Sequence, residues 1–379
     1  MTTVAASPST FAASWTDAMV MERVTSIADG PLAEAAYRID HEGHYPKEIM
    51  AGLGAAGAFA AHLSAHGGRY GLALGAMRAI SRRCGSTGFL AWCHDVCGLY
   101  MEASDNPALQ PLLATHALGQ TLGGTALSNP MKAFAGIEKM LLRATRVAGG
   151  YRVSGALPWV SHIGPGQYCG AIATVYRDDG TPSHDIMFIL HCTDAVTLRQ
   201  CPEFSGMEGT STWGVRVDNL FVGEDLLIAD PAQPFIARIR GAFILLQIGM
   251  CTGIVQGSID AMHEVEPLLG HVNRFLSDRP DEIQGELDEL EQRVARLAAD
   301  PFDGSKDYML DVLDARAQGA ELALRATQSA LLHQGARGYL VTSGAQRRIR
   351  EAHFAAIVTP AIKHLRWEMA RLSREEVPA

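Results

Sequence analysis

The spacing of apolar and polar residues changes twice along the chain and divides it into three regions. Over residues 15–120 the apolar positions recur at helical spacing. Thr16 and Asp17 are placed to open a first helix, and KEIMAGLGAAGAFAAHL at 47–63 is a second, weakened by its glycines. His66–Gly71 reads as a glycine-rich turn, followed by LALGAMRAISRRC at 72–84 and a helix starting near Ser86. From 122 to 228 the period shortens to two. GYRVSGALPWV, QYCGAIATVYRD, HDIMFILHC and GVRVDNLFVG are short β-branched runs separated by Gly, Pro, Asp and Asn. No helical spacers of 10–15 residues lie between them, which disfavours a doubly wound α/β fold and predicts an antiparallel barrel or sandwich.

Past Pro231 the helical period returns. Phe235–Glu264 is apolar almost all round, with Gly249, Gly253 and Gly257 spaced to admit another helix closely, within the chain or across a subunit interface. GELDELEQRVARLAAD is amphipathic; its Glu286–Glu289 pair is mildly repulsive and Glu289–Arg293 favourable. A long helix is predicted over 308–334, broken by GARGYLVTSG, and a last helical region is interrupted by Pro360. The expected organisation is an N-terminal helical domain (1–121), a central antiparallel β-barrel-like domain (122–228) and a C-terminal helical bundle (229–379).

Charge and composition narrow the function classes. With 32 basic and 41 acidic residues the 379-residue chain carries a formal charge of -9, so no global footprint for nucleic acid is present. The longest greasy stretch, Gly241–Met250, is too short to span a bilayer, and no membrane association is expected. The N-terminal stretch MTTVAASPSTFAASWTDAM lacks the basic region and long apolar core of a secretory signal and reads as a short disordered lead into a first helix; the cytoplasm is the expected compartment. Seven cysteines form no metal-like pairing and are expected as reduced thiols, with no metal site.

The most specific local chemistry lies in TLGGTALSNP at 121–130 and YRVSGALPWVSHIGPGQYCGAIATV at 151–175. Trp159 sits two residues before Ser161 at a strand end, a large flat ring beside a hydroxyl. That pairing suits a planar polar cofactor such as an isoalloxazine, with one face stacked and its edge hydrogen-bonded. The bland alternative is a core tryptophan.

The order of these segments resembles the acyl-CoA dehydrogenase superfamily over roughly residues 15–375. Gly67-Gly68 and Cys84-Gly85-Ser86-Thr87-Gly88 resemble its N-terminal helical domain. Ala126-Leu127-Ser128-Asn129-Pro130 takes the place of a V/L-T-E-P element and Trp159-Val160-Ser161 that of W-I-T. Gly206–Ser211 through Val222 resembles the last strands of its β-domain, and Gly335-Ala336-Arg337-Gly338-Tyr339 its G-G-x-G-Y turn. The resemblance implies a helical domain, a β-domain and a four-helix bundle holding FAD, in a homodimer or homotetramer whose subunits share each site. It implies that Ser128 faces the pyrimidine edge of the flavin, that the backbone at Thr125–Leu127 binds ring heteroatoms, and that Trp159 and Ser161 cover the ring. Gly335–Gly338 would approach the adenine half of a neighbour's FAD, and Arg274 would pair with the pyrophosphate.

The departures bear on mechanism. The α-proton of an acyl thioester needs a carboxylate base. The family commonly supplies it shortly after an R-D pair, where this chain has Val358-Thr359-Pro360 and no glutamate from Ala352 to Arg366; the second usual location holds Phe243 or Ile244. Arg240 lies one turn before the place of the family's arginine near the CoA phosphates. An oxygen-using branch of the superfamily needs no such base, only a pocket that protects the reduced flavin's oxygen adduct from water. His94, in STGFLAWCH, and Ser161, followed by His162, resemble groups which that branch places near the flavin. The expected function is therefore a flavin-dependent oxidoreductase, preferred as a monooxygenase on a small organic substrate with His94 and Ser161 catalytic. The alternatives are an atypical acyl-CoA dehydrogenase or a non-catalytic binding scaffold. The flavin would be FAD, or reduced FMN delivered by a partner reductase; an electron-transfer flavoprotein is the partner expected of a dehydrogenase.

Overall fold

The computed structural model describes residues 15–374. The disordered lead expected at the N-terminus falls on residues outside the described ones. Helix α1 (Asp17–Ile27) is capped by Thr16, whose hydroxyl accepts from the Met19 amide at 3.3 Å. Helices α2 (Ala33–His41), α3 (Lys47–Ala55), α4 (Tyr70–Arg83), α5 (Gly85–Ala103) and α6 (Gln110–Ala117) complete the N-terminal region. The helix expected over 47–63 ends at Ala55; Gly57, at φ +90°, turns the chain out of it.

Strand β1 (Gly123–Thr125) and the short helix α7 (Ser128–Phe134) lead into β2 (Leu142–Val147), β3 (Gly150–Val160), β4 (Tyr168–Tyr176), β5 (Pro182–His191), β6 (Val196–Gln200), β7 (Trp213–Gly223) and β8 (Leu227–Ala229). These strands correct the expected antiparallel barrel. They form one open mixed sheet in the order β6-β7-β3-β2-β4-β5-β8, whose end strands β6 and β8 do not pair with each other. One edge of β4 is shared by two parallel neighbours, β1 against Tyr168–Gly170 and β2 against Thr174 and Val175. The β2–β3 hairpin is antiparallel and the far edge of β3 is taken by β7, so β4 returns along the free edge of β2 in the same direction as β2. Alternation in sequence reports which face a residue takes, not the direction of the neighbouring strand.

The sheet core packs Ala171, Ala173, Phe188 and Leu190 with Tyr151, Val153 and Val215. The opposite face of the same two strands, through Ile172, Met187 and Ile189, packs on the helices. The C-terminal bundle follows as α8 (Ala232–Asn273), α9 (Pro280–Leu297), α10 (Lys306–Gln334), α11 (Gly344–Ile357) and α12 (Ile362–Arg374). Helix α8 is long and apolar enough by composition to cross a membrane, but 94% of that window is buried inside the fold, as a core helix is. The glycine face of α8 does meet a helix, and it is α4 of the same chain. A Cβ on Gly253 would stand 2.5 Å from the Arg78 carbonyl oxygen, and one on Gly257 2.4 Å from that of Arg82. Only glycine admits this approach.

Candidate functional site

The sheet region and the bundle meet at two hydroxyls. Ser128 opens α7 and is exposed; Thr359 lies in the turn between α11 and α12; their side-chain oxygens are 2.9 Å apart. The Thr359 carbonyl accepts from Gln247 Nε2 at 2.9 Å, and Gln247 Oε1 in turn accepts from Arg316 at 2.8 Å. Gln247 and Arg316 were not singled out in the sequence. A signal was there: the helical neighbours of Arg316 are Val312, Leu313, Gly319 and Ala320, so it lies on the buried face of its helix.

Strand β1 carries this corner to the end of β3. A Cβ on Gly124 would be 2.9 Å from the Ser161 carbonyl oxygen, so the two segments touch backbone to backbone. Ser161 shares a 2.7 Å hydrogen bond with Thr212, which lines a cavity of about 590 Å³ with Tyr45, Phe204, Met207 and Trp213. Trp159 is not a core residue: it is 60% exposed, with Phe204 set edge-on at 6.5 Å. The backbone expected to receive ring heteroatoms is partly engaged. The Ala126 amide donates to the Gly170 carbonyl, the Leu127 amide to Thr125 Oγ1 at 3.4 Å, and the Thr125 hydroxyl pairs with that of Tyr100.

His94 is sealed in a seam behind this corner. Its ring stacks on that of His116 at 3.6 Å, and each Nε2 donates to the other residue's carbonyl, at 2.9 and 2.8 Å. A carbonyl partner requires the proton on Nε2. His94 Nδ1 therefore accepts, from the Gly123 amide, and His116 Nδ1 accepts from the Tyr168 hydroxyl at 2.8 Å. Burial brings His94 down to about 4 and His116 well below the ordinary range, so both are neutral. His162 sits 5.6 Å from His94 ring to ring. Its Nδ1 accepts from Tyr45, whose hydroxyl in turn accepts from Gln167. Both ring nitrogens of His94, the residue expected to be catalytic, are engaged within the fold.

Asn273 and His333, the neighbours in sequence of Arg274 and the Gly335 turn, meet at a different end of the bundle. Asn273 Nδ2 donates to the His333 carbonyl at 3.1 Å, and Gly335 takes φ +58°, where glycine is favoured. Between this contact and the one joining Gln247 to Arg316 run 26 residues of α8 and 17 of α10, roughly 25–40 Å of helix. Gly338 lies in the next helical turn, packed on Gln334 and Leu331. The fold thus gathers Thr125, Leu127, Ser128 and Ser161 at one corner and Arg274, Gly335 and Gly338 at another.

The carboxylates are distributed unevenly. Glu351 is buried against the Gly85 amide and Arg347, and Glu208 accepts from the Phe204 amide at 2.6 Å. Glu368 lines a second cavity, of about 580 Å³, with Met131, Phe134, Ile236, Arg240, Trp367 and Arg371. Burial alone would raise Glu368, but hydrogen bonds from Arg240 (3.0 Å) and Arg371 (2.7 Å) and their charge outweigh it and hold the carboxyl below its ordinary range. Among the described residues no cluster of His, Cys, Asp or Glu has metal-binding geometry.

Comparison with known proteins places this geometry. Residues 15–106 match the model of the acyl-CoA dehydrogenase N-terminal domain. The chain is 23% identical over 358 residues to the probable acyl-CoA dehydrogenase YngJ of Bacillus subtilis (strain 168), covering 89% of this chain and 93% of that protein. Butyryl-CoA dehydrogenase of Megasphaera elsdenii shares the fold with a TM-score of 0.82 at 16% identity, over 95% of this chain and 98% of that one. So does the dibenzothiophene monooxygenase TdsC of Paenibacillus sp. A11-2, with a TM-score of 0.79 at 16% identity and the same coverage. Taken with the N-terminal match and the near full-length likeness in sequence, the open sheet set between two helical regions gives this chain the fold of the acyl-CoA dehydrogenase superfamily and a similarity to its members along almost its whole length.

Proposed function

We propose that the chain is a flavin-dependent oxidoreductase that dehydrogenates an acyl thioester without the family's usual glutamate. The observation that carries this reading is the cavity beside α7. Its walls of Met131, Phe134, Ile236 and Trp367 suit an apolar chain, and Arg240 and Arg371 at the same place suit a phosphate-bearing carrier. The curated relative with near full-length similarity is named a dehydrogenase, which favours this reading over the monooxygenase reading.

The residues at the neighbouring corner fit a flavin. An exposed indole, Trp159, is available for stacking, and the hydroxyls of Ser128, Ser161 and Thr212 stand nearby to meet a polar ring edge. A bound flavin supplies the acceptor for a hydride. The protein's part is to bind, orient and exclude water. Arg274, Gly335 and Gly338 lie too far along the bundle to serve the same flavin within one chain, so a homodimer or homotetramer, with FAD spanning the interface, is part of the proposal. FAD is favoured over FMN because that distant glycine turn offers a place for the adenine half.

Without a dedicated base, proton removal falls to Glu368, which two arginines keep ionised but weakly basic, or to water. Loss of general-base assistance costs about 10²–10⁴-fold in rate, so the substrates expected are thioesters whose α-proton is already acidic. The test is anaerobic titration of the flavin-loaded protein with acyl-CoAs. Slow loss of the absorption near 450 nm, faster with an aryl-activated acyl group, is expected. No loss with any acyl-CoA, together with rapid reaction of the reduced protein with oxygen, would overturn the dehydrogenase reading in favour of a monooxygenase. The specific observation on that side is that Ser128 and Thr359 meet with no carboxylate hydrogen-bonded to either hydroxyl among the described residues.

A further inference from the structure

A buried guanidinium ordinarily faces a carboxylate, because desolvating a lone charge costs far more than one hydrogen bond returns. Arg240 has Glu368, Arg347 has Glu351 and Arg350 has Asp40. Arg316 has no exposed surface, and no carboxylate pairs with it among the described residues. Its partners are all neutral: Gln247 Oε1 at 2.8 Å, the Ala355 carbonyl at 2.6 Å and the Cys251 sulfur at 3.6 Å. The charge is hydrogen-bonded but not neutralised.

Those partners give it a direction. Arginine has only donors, so Gln247 must turn its oxygen to Arg316 and its amide nitrogen away. That nitrogen donates to the Thr359 carbonyl, and the Thr359 hydroxyl meets Ser128. Ala355 lies in the last turn of α11, where a cation answers the free carbonyls of the helix end. One side chain thus fixes both the end of α11 and the turn that carries Thr359. Nearby, Lys132 is paired with Glu138, so it does not supply the field at this corner by itself.

We propose that Arg316 is a positioning residue and the source of a positive field at the Ser128–Thr359 hydroxyl pair, making that exposed corner a subsite for an anionic oxygen of a bound ligand. The inference rests on the hydrogen-bond chain alone and holds whichever reaction the protein performs. An oxyanion there would accept from the two hydroxyls while Arg316, two hydrogen bonds behind, supplies the charge that the low-dielectric bundle core does not screen.

The test places a titratable reporter at the corner of the full-length protein with Ser128→Cys. Its ionisation is read from the pH dependence of iodoacetamide labelling, resolved by peptide mass so that Cys192 and Cys201 do not interfere. The introduced thiol is expected to ionise below the ordinary value of about 8.5. Adding Arg316→Met should raise its pKa by about one pH unit, a tenfold change in the equilibrium, while Arg316→Lys should retain the lower value. Gln247→Glu sets a counter-charge against Arg316 and keeps the hydrogen bond from Arg316 while giving up the one to the Thr359 carbonyl, so it should give the same rise in a protein that still folds if Arg316→Met does not. An unmoved thiol in Gln247→Glu, or an equal rise in Arg316→Lys, would overturn the proposal.

Discussion

The histidine seam and the hydroxyl corner are built from similar polar groups and end in opposite states. In the seam, His94 and His116 spend every ring nitrogen on a carbonyl, an amide or a tyrosine, and none is left for a ligand. At the corner, Ser128 and Thr359 meet each other at an exposed place, behind them a cation that no carboxylate answers among the described residues. The difference teaches that the presence of a titratable ring near a cofactor segment is weak evidence for catalysis. What matters is whether its donors and acceptors are already consumed by the fold.

Acid should expose the seam most strongly. His94 and His62 are brought down by burial to about 4 and about 3, and His116 and His162 lie well below the ordinary range. The unfolded chain, at about 6.5, takes up these protons first, so stability is full above that value and is lost as pH falls from 6.5 through 4. At pH 5 each such histidine costs about 2 kcal/mol, and four together would leave little of a typical folding free energy. Urea unfolding at pH 7.5 and 5.0 should show a large fall in midpoint, and His94→Gln should reduce that fall. A midpoint that does not move would mean that the rings reach water, and would break the comparison.

Much of the frame was legible before the structure. Thr16 could be read as a cap from its place before an apolar run, and Gly249, Gly253 and Gly257 announced a close helix contact because no other residue allows one. The sheet direction was not legible, since Ala171 and Ile172 reveal opposite faces of β4 but nothing about whether β2 runs with or against it. Trp159 could be marked as a flat ring beside a hydroxyl, and only the structure showed it exposed. The surroundings of His94 were not legible for a physical reason: its Nε2 partner is the carbonyl of His116, 22 residues away on another helix, and carbonyls carry no signature in a sequence. Arg316 was hidden by the opposite habit, that of reading an arginine as surface.

Trp159 offers the next largest effect, on the open side of the comparison. Because 60% of it faces solvent, Trp159→Ala should leave the unfolding midpoint nearly unchanged. If it stacks on a flavin, the loss of that surface should weaken FAD binding by about tenfold or more, from an aromatic contact of about 0.5–1.5 kcal/mol plus the buried area. Fluorescence titration of the apoprotein with FAD reads this directly. Unchanged affinity would move the stacking face elsewhere in the cavity.

The smallest effect expected is also the most discriminating, because it separates a hydroxyl kept for structure from one kept for a ligand. Ser128 and Thr359 form a single exposed hydrogen bond, and water replaces such a bond readily, so Ser128→Ala should alter folding stability by less than about 0.5 kcal/mol. A neutral hydrogen bond to a ligand contributes about 0.5–1.5 kcal/mol, which predicts flavin or substrate binding weaker by roughly two- to tenfold. Ser128→Thr keeps the hydroxyl and should restore it. The same pair of changes made in the seam would give the reverse pattern, with stability lost and binding spared. If Ser128→Ala instead destabilises the fold and leaves ligand affinity intact, the corner is a clasp between sheet and bundle, and the two regions are alike after all.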